Sequence, residues 1–416
     1  MREMRRESPY PMVSIAEALR TIEAHAAPLG VEEIDILAER TPGAPSPAGR
    51  VLAEDVYAAA PLPDVPKSAV DGYAVRAEDG LAPRRVLGEI TAGGDAGLVV
   101  EPGTAVRIMT GAPLPPGADA VIMVEQTEER DGTLQIARAL SAGDAVHAVG
   151  QDIAAGQLVL ERGATLGAPE IGLLATVGRT RVKVYRRPVV AVLATGDEVF
   201  DPDAEPIPGG VRDSNRYALL AAAREAGCET ISLGIARDDE ALQRQAILRG
   251  LEQADVLITS GGVSMGTRDL IKPLLAELGT VHFGRIAFKP GKPTTFATVG
   301  GRMVFGLPGY PVSSLVSFEV FVRPALRRLQ GDARPERPKA QVALLDPIRP
   351  SPDRPEYQRA IVSLDGGRLV ARTTGAQGSS RLLSLRGANA LLLVPPGERT
   401  YQPGEELEAL LTGPLQ

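Results

Sequence analysis

Between residues 188 and 330, short apolar runs alternate with amphipathic segments, and few folds accommodate that order. "VVAVLAT", "TISLGI" and "DVLIT" are strand-like, and between and after them stand the helical stretches "NRYALLAAAREAG", "DEALQRQAILRGLEQA" and "DLIKPLLAEL". Strands joined through helices run parallel, and both faces of their sheet need covering, so this segment predicts an α/β domain around a parallel sheet. In such sheets ligands bind beyond the carboxyl ends of the strands, where backbone N–H groups are free.

The flanking chain has a different grain. "SIAEALRTIEAHA" begins with Ser14 and Glu17 in capping-box spacing and puts Ile15, Ala18, Leu19 and Ile22 on one helix face. Residues 49–148 are short β-type runs broken by Gly and Pro, and the helical pattern returns over 150–178, with Pro169 at its first turn and Ile171, Leu174 and Ala175 on one face. That second helix is expected to pack on the first, making 1–48 and 149–186 one discontinuous helical linker domain and 49–148 an inserted β-rich domain. The α/β domain spans 187–332, and the Pro-rich "GDARPERPKA" leads into a β domain over 338–416.

The 416-residue chain has a formal net charge of -7, which disfavours nucleic acid and membrane surfaces as partners, since both call for a basic face. An anionic ligand here needs a local device. Cys228 is the single cysteine, and His25, His147 and His282 are the histidines, too few for a disulfide framework or a Cys/His zinc cluster. Reducing cytoplasm is the expected compartment. No apolar run reaches about 18 residues and the basic amino terminus lacks a secretory core, so the chain is read as soluble.

Three stretches at predicted strand ends can carry chemistry. "AVLATGDEV" stops at Thr195-Gly196 and presents Asp197 and Glu198, although an ordinary turn has the same composition. "TSGGVSMGTRD" offers Ser260, Gly261, Gly262 and Ser264 as amides and hydroxyls around an anion, without P-loop or dinucleotide spacing. It closes on Asp269, which suits a helix N-cap equally well. "IAFKPGKPTTF" holds Lys289 and Lys292, two of only six lysines in the chain, on a proline-stiffened turn.

Asp238 in "RDD" follows another strand, with helix capping by Asp238 or Asp239 as the ordinary alternative, and "GLPGYPVSS" sets a Pro-Gly loop before a helix starting near Pro311. Glu198, Asp238 and Asp269 thus meet Lys289 and Lys292 at one sheet edge, a combination suited to Mg²⁺ shared between carboxylates and phosphate oxygens. No cysteine, dedicated histidine or Ser-His-Asp set stands among these stretches. Charge stabilisation and metal positioning are therefore expected rather than covalent catalysis.

The ordered motifs "SAVDGYAVR", "RIMTGAPLP", "GQDI", "ATGDE", "SGGVSMGTRD", "KPGKP", "GLPGYPVS" and "TTGAQGSS" resemble the MoeA family of molybdopterin molybdenumtransferases, which includes the gephyrin E domain. The resemblance implies an elongated homodimer of four-domain subunits in which the α/β domain is MogA-like and the C-terminal β domain barrel-like. It implies that molybdenum from molybdate is inserted into adenylylated molybdopterin with release of AMP, assisted by Mg²⁺. A MogA-type adenylyltransferase and downstream molybdoenzyme maturation proteins are the implied partners.

Carried over by motif, Glu198, Asp238 and Asp269 line the pterin, metal and molybdate site, with Lys289 and Lys292 near the anionic groups. Asp71 and Thr110 approach from the other subunit's β-rich domain, and Asp152 supports that side. Pro308 and Pro311 match the Pro-Gly-x-Pro loop, and Arg359 and Ser379 match positions in the C-terminal domain. Two positions depart: Arg285 stands where some members carry lysine, and Tyr310 where many carry asparagine. Two other readings of the same sheet are an adenylyltransferase of the MogA type and a non-catalytic scaffold of the gephyrin type. The inserted β-rich domain argues against the first, and the presence of Glu198, Asp238, Asp269 and Lys289 together against the second.

Overall fold

A computed structural model describes residues 10–40, 46–94, 97–263 and 269–416. The chain forms two compact units, one comprising the chain up to Ala53 with Gly163–Gly167 and Arg181–Gln416, the other Glu54–Arg162 with Ala168–Thr180.

The first unit is built on a six-stranded sheet in the order Glu229–Ala236, Val189–Thr195, Val256–Ser260, Arg302–Leu307, Thr295–Val299, Thr280–Phe283. The first four strands are parallel. The last two are antiparallel, an extension that strand-helix alternation does not announce. Its signal is local: Gly300 and Gly301 take φ of +56° and +79°, as a two-residue hairpin turn requires.

Alternation along the strands divides their side chains between two cores. Val190, Val192, Val256, Ile258 and Phe305 share a core with Leu219, Leu220 and Ala223 of the helix Asn215–Glu225. On the other face, Ala191, Leu193, Leu257 and Val304 meet Ile247 and Leu251 of Glu240–Gln253 and Leu274 and Leu275 of Ile271–Leu278. Burial on both faces explains why these strands read as nearly unbroken apolar runs.

The helix Ile15–Glu23 starts at Ser14, whose Oγ accepts the Glu17 N–H at 3.1 Å. The helix packs within its own unit. Ala18 and Ile22 are buried in the first of the two sheet cores, and the helix runs beside Phe318–Val322 and Arg323–Leu329. The strand Val31–Asp35 then pairs antiparallel with Arg181–Tyr185, joining the chain before the inserted segment to the chain after it.

The C-terminal segment of this unit closes into a barrel of Lys339–Leu344, Arg368–Thr373, Glu356–Asp365, Ala390–Val394 and Glu406–Leu411, filled by Val342, Leu344, Val362, Leu392 and Leu407. The second unit holds its own mixed sheet, in the order Ala120–Met123, Gly72–Val75, Thr104–Ile108, Arg84–Ile90, Thr133–Ile136, Thr127–Arg130. Tyr73, Val75 and Ile122 line one of its cores and Ala74, Val106 and Val121 the other. Among the described residues no helix is long and apolar enough to cross a membrane.

Candidate functional site

Val189–Thr195 lies between Glu229–Ala236 and Val256–Ser260, so the chain leaves it toward one neighbour and returns on the other side. This reversal opens a crevice at the carboxyl ends of the strands. The loops after Thr195, Ser260 and Leu307 border a cavity of about 890 Å³, a volume typical of small-molecule sites. Of the predicted residues, Glu198, Asp238, Ser260, Gly261, Gly262, Asp269, Pro308 and Pro311 lie on its wall.

The glycine loop is locked in place by its neighbours. The buried Ser260 accepts the Thr195 Oγ1–H on its carbonyl at 3.3 Å, and the Gly261 N–H donates to the Leu307 carbonyl at 3.0 Å. Gly261 and Gly262 take φ of +96° and +65°. A Cβ on Gly261 would stand 2.7 Å from the Thr195 carbonyl oxygen, and one on Gly262 2.8 Å from Ile271 Cγ1. Backbone conformation and close approach thus both demand glycine here. Ser264, predicted for the same wrap, lies outside the described residues.

The carboxylates reach the wall by different routes. Glu198 folds back over Gly196, on which a Cβ would lie 2.7 Å from Glu198 Oε2. Asp238 donates its N–H to Asp197 Oδ1 at 3.1 Å and accepts from the fully buried Gln243 amide at 3.4 Å. Capping of the next helix falls to Asp239, which accepts the Leu242 N–H at 2.9 Å, and Asp238 lies on the cavity wall. Leu270 holds the N-cap position of Ile271–Leu278 without a side-chain cap, and Asp269 stands one residue further out on the wall. Close by, burial lowers the Lys272 pKa to about 8, and the Asp269 charge opposes that fall.

Asn215 joins two of the loops: its Nδ2 donates to Ser260 Oγ and to the Gly309 carbonyl, both at 2.8 Å. The next residue, Arg216, is buried and pairs with the buried Asp213 (Nε to Oδ2 2.6 Å), with Asp201, and with Ser232 Oγ at 2.7 Å. Arg212 also lines the cavity, with its guanidinium 5.1 Å from the Phe200 ring centroid.

The lysine turn is placed differently from the sequence expectation. Lys289 pairs with the buried Glu356 at 3.2 Å, donates its N–H to the Pro355 carbonyl at 2.9 Å and accepts the Tyr357 N–H at 2.8 Å. The turn is thereby fastened to the barrel. Of this stretch Pro293 reaches the described cavity wall, while Lys289, Lys292 and Arg285 do not. Arg359 is fully buried and donates to Ser384 Oγ at 3.1 Å and the Gly378 carbonyl at 3.3 Å, supporting the loop whose Ser380 and Leu382 line the cavity. Burial lowers its pKa to about 10, so it stays charged at neutral pH. Ser379 accepts the Val312 N–H at 3.1 Å on its carbonyl, and its neighbour Ser380 takes the wall position.

Asp71, Thr110 and Asp152 belong to the second unit. Asp71 Oδ1 accepts the Thr110 N–H at 2.7 Å and the Thr110 hydroxyl at 2.8 Å. The backbone bond, then the hydroxyl, hold this exposed carboxylate below its ordinary pKa. Asp152 is exposed and donates its N–H to the Leu62 carbonyl at 3.0 Å.

Residues 13–178 match the MoeA N-terminal region (domain I and II), 191–328 a probable molybdopterin binding domain, and 341–412 the MoeA C-terminal region (domain IV). The molybdopterin molybdenumtransferase of Haemophilus influenzae is 36% identical over 364 residues, which cover 86% of this chain and 90% of that one. The chain belongs to the MoeA family. Gephyrin of Dictyostelium discoideum is 36% identical across 99% of this chain, and the chain spans 64% of that relative's length. Among solved structures, a molybdopterin biosynthesis MoeA protein from Pyrococcus horikosii is 34% identical, with a TM-score of 0.80 over 97% of this chain and 100% of that one.

In this MoeA chain, sequence reasoning missed Arg212 and Asp213 and took Asn215 only as the first residue of a helical stretch. An aspartate three residues before an arginine at a strand-to-helix junction was the available signal. The described wall carries the carboxylates Glu198, Asp213, Asp238 and Asp269 and the cation Arg212. Among the described residues no three His, Cys, Asp or Glu side chains group closely enough to hold a metal alone. Carboxylates spread along a wall fit Mg²⁺, which takes one or two of them and completes its shell with phosphate oxygens and water.

Proposed function

We propose that this MoeA-family protein inserts molybdenum from molybdate into adenylylated molybdopterin and releases AMP. The observation that carries the reading is the cavity at the sheet's carboxyl edge, where the glycine loop shares the wall with three acidic residues, Glu198, Asp238 and Asp269. Molybdate, dithiolene and phosphoanhydride are all anionic, and an acidic wall repels them unless a cation intervenes. One or two of Glu198, Asp238 and Asp269 would hold Mg²⁺, which neutralises phosphate charge when bound.

The chain's own groups do the rest. The glycine loop, with no Cβ on Gly261 or Gly262, lets a ligand approach the backbone closely, and Arg212, at the wall, adds a planar cation suited to phosphate. Lys289, Lys292 and Arg359 keep positive charge behind the turn and loop that supply Pro293 and Ser380. Asp269 takes or orients a proton of the water used in AMP release. The single cysteine and the want of a membrane-crossing helix among the described residues support a cytoplasmic setting.

We further propose a homodimer in which Asp71, Thr110 and Asp152 serve the cavity of a second copy, with a MogA-type adenylyltransferase upstream and molybdoenzyme maturation proteins downstream. The ionised Asp71 held by Thr110 supports a role beyond a hairpin turn. Mixing Asp71→Ala with Asp269→Ala subunits tests it: partial recovery of activity supports the shared site, and no recovery opposes it. The function itself is tested by supplying the purified protein with adenylylated molybdopterin, molybdate and Mg²⁺. Equal amounts of AMP and molybdenum-bearing cofactor are expected, and neither appearing would refute the reading.

A further inference from the structure

We infer that Asn215 is a positioning residue that sets the gap between the glycine loop and the Pro-Gly loop, and with it the width of the ligand cavity. The inference rests on reading that cavity as the substrate site. Each loop follows an interior strand of the sheet, and the strand pairing stops where the loop begins: Val256–Ser260 pairs with Arg302–Leu307 only as far as Ser260 and Leu307. Beyond that register the Gly261 N–H to Leu307 contact at 3.0 Å closes the base, and the Asn215 amide bridges the rims at Ser260 Oγ and the Gly309 carbonyl. One planar NH₂ group offers two donors at a fixed angle, so both loops are referenced to a single side chain.

The amide is held from behind. Asp213 accepts the Arg216 N–H at 3.0 Å and Nε at 2.6 Å, and Arg216 reaches Ser232 on the strand Glu229–Ala236. The start of Asn215–Glu225 is thereby tied to one strand while Asn215 ties the ends of two others. Asp213 is 3% exposed and Arg216 6%, and a charge pair so shielded from water keeps a defined geometry. This is rigid support of the kind that preorganised sites need.

The test compares Asn215→Ala with Asn215→Asp in the full-length protein. Asp is isosteric with Asn, but it faces the Gly309 carbonyl with an acceptor. If the donors matter, both variants lose roughly 10- to 100-fold in kcat/KM for molybdenum insertion, with Asp no better than Ala. Hydrogen exchange of the ligand-free proteins should quicken at 260–263 and 309–311 and remain unchanged in the barrel. Ser260→Ala, which removes one acceptor, should give an intermediate loss, and it keeps the test open if either Asn215 variant fails to fold. An Asp variant with wild-type kcat/KM and wild-type exchange overturns the inference, since a space-filling role predicts that outcome. Inactivity of the wild type would instead strike the proposed function, and the exchange result would still decide the role of Asn215.

Discussion

The carboxylate wall and the lysine turn read alike in the sequence, as charged residues on loops at one sheet edge, yet the molecule treats them oppositely. Glu198, Asp238 and Asp269 open onto the cavity, whereas Lys289 is engaged with Glu356 of the barrel and its turn offers Pro293 to the wall. A charge at a strand end can border a cavity, as the three carboxylates do, or fasten one element to another, as Lys289 does with the buried Glu356. Partner geometry, rather than charge, separates the two.

The sharpest way to break this contrast is to neutralise the wall. On the proposed function, Asp269→Asn and Asp238→Asn should each reduce molybdenum insertion by about 10³-fold while melting near the wild type, because each removes a negative charge proposed to hold the metal. Wild-type turnover in both would take them out of the site. Next in size is the glycine loop. Gly261→Ala, with φ of +96° and a carbonyl 2.7 Å from the new Cβ, should cost about 3 kcal/mol or more in denaturant unfolding. Gly309→Ala, whose nearest atom would lie 3.8 Å away, should be tolerated. Equal stability of the two variants would contradict the packing argument.

A smaller effect concerns Lys272, a buried cation that donates to the Gly284 carbonyl at 2.8 Å and whose pKa burial lowers. Its folded pKa of about 8 lies below the unfolded 10.5, so between those values the unfolded chain binds more protons. Stability should therefore rise with pH across that window, by about 2–3 kcal/mol in all, and Lys272→Met should flatten the rise. Unfolding midpoints from pH 7 to 10.5 measure it, and a falling curve attributable to Lys272 would be the wrong sign. The smallest effect sharpens the lysine side. Lys289→Ala should cost about 1–2 kcal/mol by stranding Glu356, half of the pair being exposed, and Glu356→Gln should recover most of that. A loss of activity with unchanged melting in Lys289→Ala would return the lysine to the ligand.

The fold was legible because strand and helix periods differ, and residues 188–330 switch between them at every Gly or Asp punctuation. The antiparallel edge escaped because the strand–helix alternation that marks the parallel strands stops before Thr295–Val299, leaving only the Gly300-Gly301 turn to announce it. In the site, Glu198, Asp238 and Asp269 could be placed from their strand-end positions alone. The choice between Asp238 and Asp239 as cap needed the helix start, which depends on one residue of register. Asn215 and Lys289 were misread or missed because their partners lie 94 and 67 positions away, at Gly309 and Glu356, and no local pattern encodes such pairings.

The central claim is that the cavity at the carboxyl edge of the sheet receives the adenylylated pterin. Hydrogen exchange of the full-length protein with and without adenylylated molybdopterin, in the presence of Mg²⁺, tests it most directly. Protection should concentrate at 195–198, 260–263, 308–311 and 378–382, and Asp269→Asn should weaken it. Saturating ligand that leaves all four segments exchanging at the ligand-free rate would contradict the account.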